Sequence, residues 1–185
     1  LQNSFANTSS SLMVSKVQGN IVDVLMPPMS PAELTVAYVG GGVTRGVLVG
    51  LTTGAALWLF VDLDIHDPFA ILFHGVAASV MLSLLGVIGG IWAEKFDHIA
   101  AMTNFAVVPM SFLSGTFFSI ERLPQVWQNV AYFNPLFYAI DSFRYGFIGQ
   151  SDSTLWLSMT VMVTINAALF AFAYRLFAIG YKLKS

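Results

Sequence analysis

PFAILFHGVAASVMLSLLGVIGGIWA, residues 68–93, runs for 26 positions without Asp, Glu, Lys or Arg. A helix rises about 1.5 Å per residue, so roughly 20 apolar residues cross the hydrocarbon layer of a bilayer. This stretch has length to spare. Two further charge-free runs of 22 residues lie at 99–120 and 153–174. A fourth, 36–61, is apolar and rich in Gly, and is interrupted by Arg45. The fold class that follows is all-α: a polytopic transmembrane helix bundle in one domain, with spans at 36–61, 69–93, 99–120 and 153–180.

Composition agrees. The chain has 185 residues, 56% hydrophobic and 10% charged, with a mean hydropathy of +0.73. A soluble domain carries about 25% charged residues, so this chain lacks the charge to cover a water-facing surface. Disorder, a coiled coil and a collagen-like fibre are excluded. Eight Lys plus Arg against ten Asp plus Glu leave a net charge of −2, so no basic patch exists for a nucleic acid. Cysteine is absent, which removes disulfides, thiolate metal sites and a Cys nucleophile. The chain opens on Leu1, and 1–15 is too polar and too uncharged for a signal peptide. We expect it to continue N-terminally in the full protein.

The connections set the orientation. With four spans, the N-terminal segment, the 94–98 loop and the tail share one side, which holds Lys16, Lys95, Lys182 and Lys184, with Arg175 nearby. The other side has Arg122 and Arg144, and its first loop carries three Asp and no Lys or Arg. The positive-inside bias makes the lysine-bearing side, C-terminus included, cytoplasmic in an inner (plasma) membrane.

No catalytic constellation is present: no GxSxG elbow, no HExxH, no paired His at metal spacing and no P-loop. Gly42, Gly46, Gly50 and Gly54 recur every four residues, and Gly86 and Gly90 repeat the spacing. Glycine is common in membrane helices, but three overlapping GxxxG steps point to a helix-packing face, with its partner in this chain or another. Arg45 has two readings, a functional intramembrane ion or a guanidinium that snorkels to the headgroups or pairs structurally. Asp62, Asp64, His66 and Asp67 match neither an EF-hand nor a zinc pattern and read as a solvated loop. His74 reads as hydrogen-bonded in the bundle, Asn104 as an interhelical hydrogen bond and Pro109 as a kink. The segment 121–152 holds two short helical runs broken at Asn134–Pro135, crowded with aromatics, with Asp141 and Arg144 at i, i+3. They read as outer half-helices, a re-entrant pair dipping into the outer leaflet, against an ordinary interfacial loop.

The runs KVQGNIVDVLMPPMSPAEL (16–34), GGGVTRGVLVG (40–50), IWAEKFDHIAAMTNFAVVPMSFLSGTFFSIERLPQVWQ (91–128) and FNPLFYAIDSFRYGFIG (133–149) resemble the membrane subunit of type-2 ABC transporters. The resemblance covers essentially the whole chain. It implies a six-span permease, of which these are the last four spans, that forms a homodimer or pseudo-dimer in membrane lipid and docks separate ATP-binding subunits. No cofactor is implied in this chain, since ATP and Mg belong to the partner. The cytoplasmic coupling segment would lie within 1–35, with Lys16, Gln18, Gly19 and Asp23 contacting the ATPase. A second would present Glu94, Lys95, Phe96 and Asp97. The implied activity is ATP-driven export of a polysaccharide, a lipid-linked or a drug-like cargo. The alternative is a self-sufficient membrane protein such as a proton-coupled secondary transporter, which would place acidic residues inside its spans.

Overall fold

The computed structural model describes residues 2–21, 28–61, 65–116 and 124–182. These are helical, with no strand among them. In chain order the helices are α1 (Gln2–Val17), α2 (Pro31–Trp58), α3 (Pro68–Trp92), α4 (Phe96–Met102), a π-helical turn (Thr103–Val107), α5 (Val108–Phe112), α6 (Gln125–Tyr132), α7 (Pro135–Ile148) and α8 (Leu155–Ile179).

Three helices begin on the same local grammar, a polar cap followed by proline. Ser30 caps α2, with Glu33 returning a bond to the Ser30 amide at 2.7 Å. Asp67 caps α3, accepting from the amides of Phe69 and Ala70 at 3.0 and 3.2 Å. Asn134 caps α7, accepting from Leu136 N–H at 3.1 Å. In each case Pro takes the first helical position, where its missing N–H costs nothing.

α3 is the hub. Half of its apolar stretch is buried, against a small fraction for α2 and α8, so it lies inside a ring of other helices. α1, α2, α7 and α8 all pack on it. α1 and α8 run parallel to α3: Thr8 reaches Ser83 and Lys16 reaches Ile91, while Asn166 reaches Ala77 and Lys182 reaches Glu94. α2 and α7 run antiparallel, with Gly42 against Ser83 and Gly46 against Ser79, and Phe143 against Gly75 and Gly146 against Ile71. One end of the bundle therefore gathers Lys16, Glu33, Glu94 and Lys182, and the other gathers Asp67, Gly146 and Asp152.

Three described helices, α2, α3 and α8, are long and apolar enough to cross a membrane. Of the stretch expected to provide a fourth span at 99–120, residues 117–120 lie outside the described residues, and the part up to Phe112 is built in pieces of 7, 5 and 5 residues across α4, the π turn and α5. Pro109 explains the break. It offers no N–H to the preceding turn, and the ladder widens just before it, where Val108 N–H bonds to Thr103 O. Asn104, expected to bond between helices, is exposed. Asn134 and Asn166 make such bonds instead, to Met110 O at 2.6 Å and Ala77 O at 3.1 Å.

The family resemblance implies a cytoplasmic coupling segment within residues 1–35, whose first fifteen residues are polar. Yet α1 buries Ser4, Phe5, Thr8, Ser9, Leu12 and Met13 along α3. Ser9 Oγ donates to Phe5 O on its own helix at 2.8 Å, the Thr8 hydroxyl has Ser4 O (3.1 Å) and Ser83 O of α3 (3.0 Å) as alternative acceptors, and Ser4 Oγ is buried without a partner among the described residues. Bonds to the helix's own carbonyls lower the cost of placing Ser and Thr in an apolar bundle.

α1, α2 and α3 meet along a seam with no room for side chains. A Cβ on Gly46 would overlap Ser4 Oγ and lie 3.0 Å from Ser79 Oγ. One on Gly86 would lie 2.6 Å from the backbone oxygen of Phe5. Gly50 and Gly54 have nothing within 4 Å. Gly86→Ala and Gly46→Leu should therefore destabilise the bundle by about 1–3 kcal/mol, whereas Gly50→Ala should stay within about 0.5 kcal/mol of the parent. Thermal melting of the three variants in detergent decides this, and equal losses at Gly50 and Gly86 would sink the seam as drawn.

Candidate functional site

The lysine-bearing end is assembled around the last turn of α3. Lys16 Nζ donates to the carbonyls of Ile91 and Ala93, the latter at 3.1 Å. Lys182 Nζ pairs with Glu94 Oε1 at 2.6 Å and stands 5.8 Å from the centre of the Trp92 ring. The tail reaches this place by a glycine turn. α8 closes at Gly180 (φ 64), Tyr181 N–H bonds back to Leu176 O at 3.1 Å, and Lys182 itself takes φ 50. Burial pushes the half-buried Lys16 ammonium below its ordinary range, with the like charge of Lys182 adding to this and Glu94 opposing it. The hydrogen bond from Lys182 holds the Glu94 carboxyl below its usual range, and the Lys182 ammonium is raised by that same bond.

The residues expected to contact an ATPase subunit sort themselves here. Gln18, Gly19, Glu94, Lys95, Phe96 and Asp97 are exposed at this end, Gly19 with φ 72. Lys16 is turned inward onto α3, and Asp23 lies outside the described residues. Lys182 joins them at this end through Glu94, a contact that sequence reading missed. Its partner is 88 positions away, and no local pattern joins a tail lysine to a loop glutamate.

The opposite end is held by one carboxylate. Asp141, 2% exposed, sits in the middle of α7. Its Oδ1 accepts from Arg144 Nη2 and Asp152 N–H, both at 3.0 Å. Its Oδ2 accepts from Ser151 Oγ (2.7 Å), Ser153 N–H (3.0 Å) and Ser153 Oγ (2.8 Å). Arg144 also pairs with Asp152 at 3.2 Å. The i, i+3 pair was legible in the sequence, but the 151–153 turn that wraps the carboxylate was not. Asn134 and Pro135 start α7 beside α5, and Leu136 and Ala139 share a core with Met81, Leu82 and Met162 near the middle of α3 and α8. α7 thus runs from mid-bundle to the Asp67 end, where Gly146 O accepts from the amides of His66 and Asp67, both at 2.9 Å.

Other candidate residues have plain roles. Asp67 is a helix cap, Asp62 and Asp64 lie outside the described residues, and no group of three metal-ligating side chains forms among those described. His74 is fully buried. Its Nδ1 donates to Ala70 O at 3.0 Å, and its ring lines a cavity of about 80 Å³ shared with Gly75, Ala78, Ala139, Ile140 and Phe143. Arg45 is exposed between Gly42 and Gly46, level with Ser79 and Ser83, and has no ion-pair partner among the described residues.

Comparison with known proteins adds a family to this geometry. The family described as "ABC-2 type transporter" matches residues 1–148, from α1 through α7. The chain belongs to the ABC-2 type transporter family. It is 35% identical over 185 residues to the inner membrane transport permease YadH of Escherichia coli (strain K12), covering all of this chain and 72% of that protein. It is 26% identical over 140 residues to nodulation protein J of Rhizobium leguminosarum bv. viciae, covering 76% of this chain and 50% of that protein. It is 22% identical over 172 residues to the inner membrane transport permease YhhJ of Escherichia coli (strain K12), covering 90% and 45%. No solved structure matches. The ABC-2 match extends over both the exposed 18–19 and 94–97 segments and the Asp141–Arg144 pair.

Two outcomes follow for this ABC-2 family member. Asp141→Ala strips five donors of their acceptor and should cost about 2–4 kcal/mol of stability, read by thermal unfolding in detergent. A change under about 0.5 kcal/mol, the size of a neutral surface substitution, would show that Asp141 does not hold the turn. Acid should release the tail. The folded pKa of Glu94 lies below its unfolded value, so the Lys182–Glu94 contribution is complete above the ordinary Glu range near about 4.3 and is lost as pH falls through the lowered value. Amide exchange at Tyr181 and Lys182, corrected for intrinsic rates, should stay flat down to about pH 5 and rise below about pH 4.

Proposed function

We propose that this chain is the membrane-spanning part of a permease subunit in an ATP-driven exporter, with ATP hydrolysed by a separate partner subunit that binds ATP and Mg. The observation that carries the reading is the convergence of two segments far apart in sequence, 18–19 and 94–97, as exposed surface at the one end where the lysines gather. A motor subunit needs such a flat, accessible grip at the ends of packed helices. The lysine excess makes that end, and the C-terminus, cytoplasmic. Two such permeases, identical or homologous, enclose the path, and a rigid-body movement between them opens it. The family membership, and the naming of YadH and YhhJ as inner membrane transport permeases, support transport rather than catalysis.

In this reading the stretch 96–112 is part of a fourth span, bent at its π turn, and α6–α7 are the outer re-entrant pair. Two observations support the pair. α7 starts at mid-bundle, where Asn134 is bonded to Met110 O, and Asp141 neutralises Arg144 inside it. A cargo of polysaccharide, lipid-linked or drug-like chemistry fits the family resemblance. Proton-coupled transport is disfavoured by Asp141. It is the buried acid among the described residues, and both its oxygens are taken up by the five donors that close the 151–153 turn.

The test uses the full-length permease with its ATP-binding subunit in inverted membrane vesicles. The two chains should co-purify, and export should require hydrolysable ATP. Transport by the permease alone, driven by a proton gradient, overturns the proposal.

A further inference from the structure

The α3 C-terminus poses a problem that only one side chain solves fully. Ile91 and Ala93 are completely buried, and α3 ends at Ala93, whose backbone is extended (ψ 140). The last carbonyls of a helix have no donor within it, and a buried carbonyl without a partner is costly. Lys16 Nζ, arriving from α1, donates to both Ile91 O and Ala93 O, and its positive charge also suits the negative end of the helix dipole. Lys182 covers the intervening Trp92 O at 3.5 Å.

The position of Lys16 matters more than the bonds themselves. Gln18 and Gly19, exposed, begin two residues after it, and Glu94 follows Ala93 directly. The tie therefore stands at the root of both segments that grip the motor in the proposed reading, with almost no chain between. α1 also packs against α4, the helix that leaves the second segment.

We infer that Lys16 is a positioning residue for energy coupling: by joining the end of α1 to the last carbonyls of α3, it makes the 18–19 and 94–97 segments move as one body. The inference rests on the exporter reading for its function but not for its geometry. Lys16 touches neither nucleotide nor cargo. It acts by denying the two segments independent motion, so that a displacement imposed on either is delivered to α3.

The experiment uses the full-length permease with its ATP-binding subunit in lipid nanodiscs and proteoliposomes, as wild type, Lys16→Met and Lys16→Arg. Met keeps the apolar stem and loses the donor, whereas Arg keeps donors and charge. Spin labels on Gln18→Cys and Lys95→Cys read the distance between the segments directly. A narrow distribution in the wild type should broaden in Lys16→Met and narrow again in Lys16→Arg. In unlabelled samples of the same three forms the cargo moved per ATP hydrolysed should fall about tenfold in Lys16→Met, the scale of one lost charge-assisted hydrogen bond, and recover in Lys16→Arg. A distribution in Lys16→Met as narrow as in the wild type overturns the inference. So does a parallel loss of transport and ATP hydrolysis that leaves their ratio unchanged, since that is what mere destabilisation produces. Absence of ATP-dependent transport in the wild type strikes the exporter reading alone, and the label distances still decide whether Lys16 ties the segments.

Discussion

The structure depends on close approach of helix backbones where α1, α2 and α3 meet. Between helices in lipid there is little hydrophobic driving force, because acyl chains are as apolar as leucine, so association rests on van der Waals fit and on hydrogen bonds between helices. Gly42, Gly46 and Gly86 provide the fit, since a Cβ on any of them would collide with α1 or with a serine of α3. Thr8 supplies a hydrogen bond across the same seam, donating to Ser83 O at 3.0 Å. The rest follows from that contact. α1 can lie along α3 with a face of serines and threonines because α2 and α3 meet it with glycines and the small side chains of Ser79 and Ser83, and Lys16 reaches the end of α3 because α1 lies parallel to it.

Arg45 aside, the charges of Lys16 and of the ion pairs gather toward the two ends of the bundle, and each end uses them differently. At the lysine end the pairs are exposed and sit on a helix terminus, where cations are favoured and screening is strong. At the other end Asp141 is out of water, and five donors stand where its hydration would be. That turn fixes the start of α8 relative to α7, through Ser153 and its contact with Ser158 Oγ at 2.9 Å. One end is a surface that a partner can grip, and the other is a closed polar knot.

The sequence made the class plain and blurred the depth of particular pieces. The uncharged run at 68–93 announces α3 and the Asn134–Pro135 break announces α7, whereas the caps at Ser30–Pro31 and Asp67–Pro68 came to light only in the structure. The packing of residues 2–17 was hidden because hydropathy prices Ser and Thr as if they faced water, whereas in α1 Ser9 and Ser10 bond to carbonyls of their own helix. The glycine ladder was legible as a repeat but not as a contact. Gly42 and Gly46 touch α1 and α3, while Gly50 and Gly54 continue the spacing over open space, and spacing alone cannot mark where a neighbouring helix ends. The Lys182–Glu94 and Lys16–Ala93 contacts join residues 88 and 77 positions apart, and nothing local to either partner encodes them.

The two helical routes through the bundle differ mechanically, and the difference bears on how a motor's push would travel. α3 is 25 residues, about 37 Å, with no proline after its first position, and it is gripped by four helices along its length. The route through 96–112 is broken by a π turn and by Pro109, and its middle, with Asn104 and Phe105, is exposed. Bending a helix costs least where its hydrogen-bond ladder is already interrupted. A displacement at 94–97 therefore divides: through Lys16 and the last turn of α3 it moves the hub as a rigid rod, and through α4 it is absorbed at Thr103–Val107. The side of the bundle that can change shape is then the one carrying α5, where Asn134 ties α5 to the start of α7. α7 is thus tied to the broken route through Asn134, and through Arg144 Nη1, which donates to Gly115 O at 3.5 Å, and to the rigid one by its packing on α3.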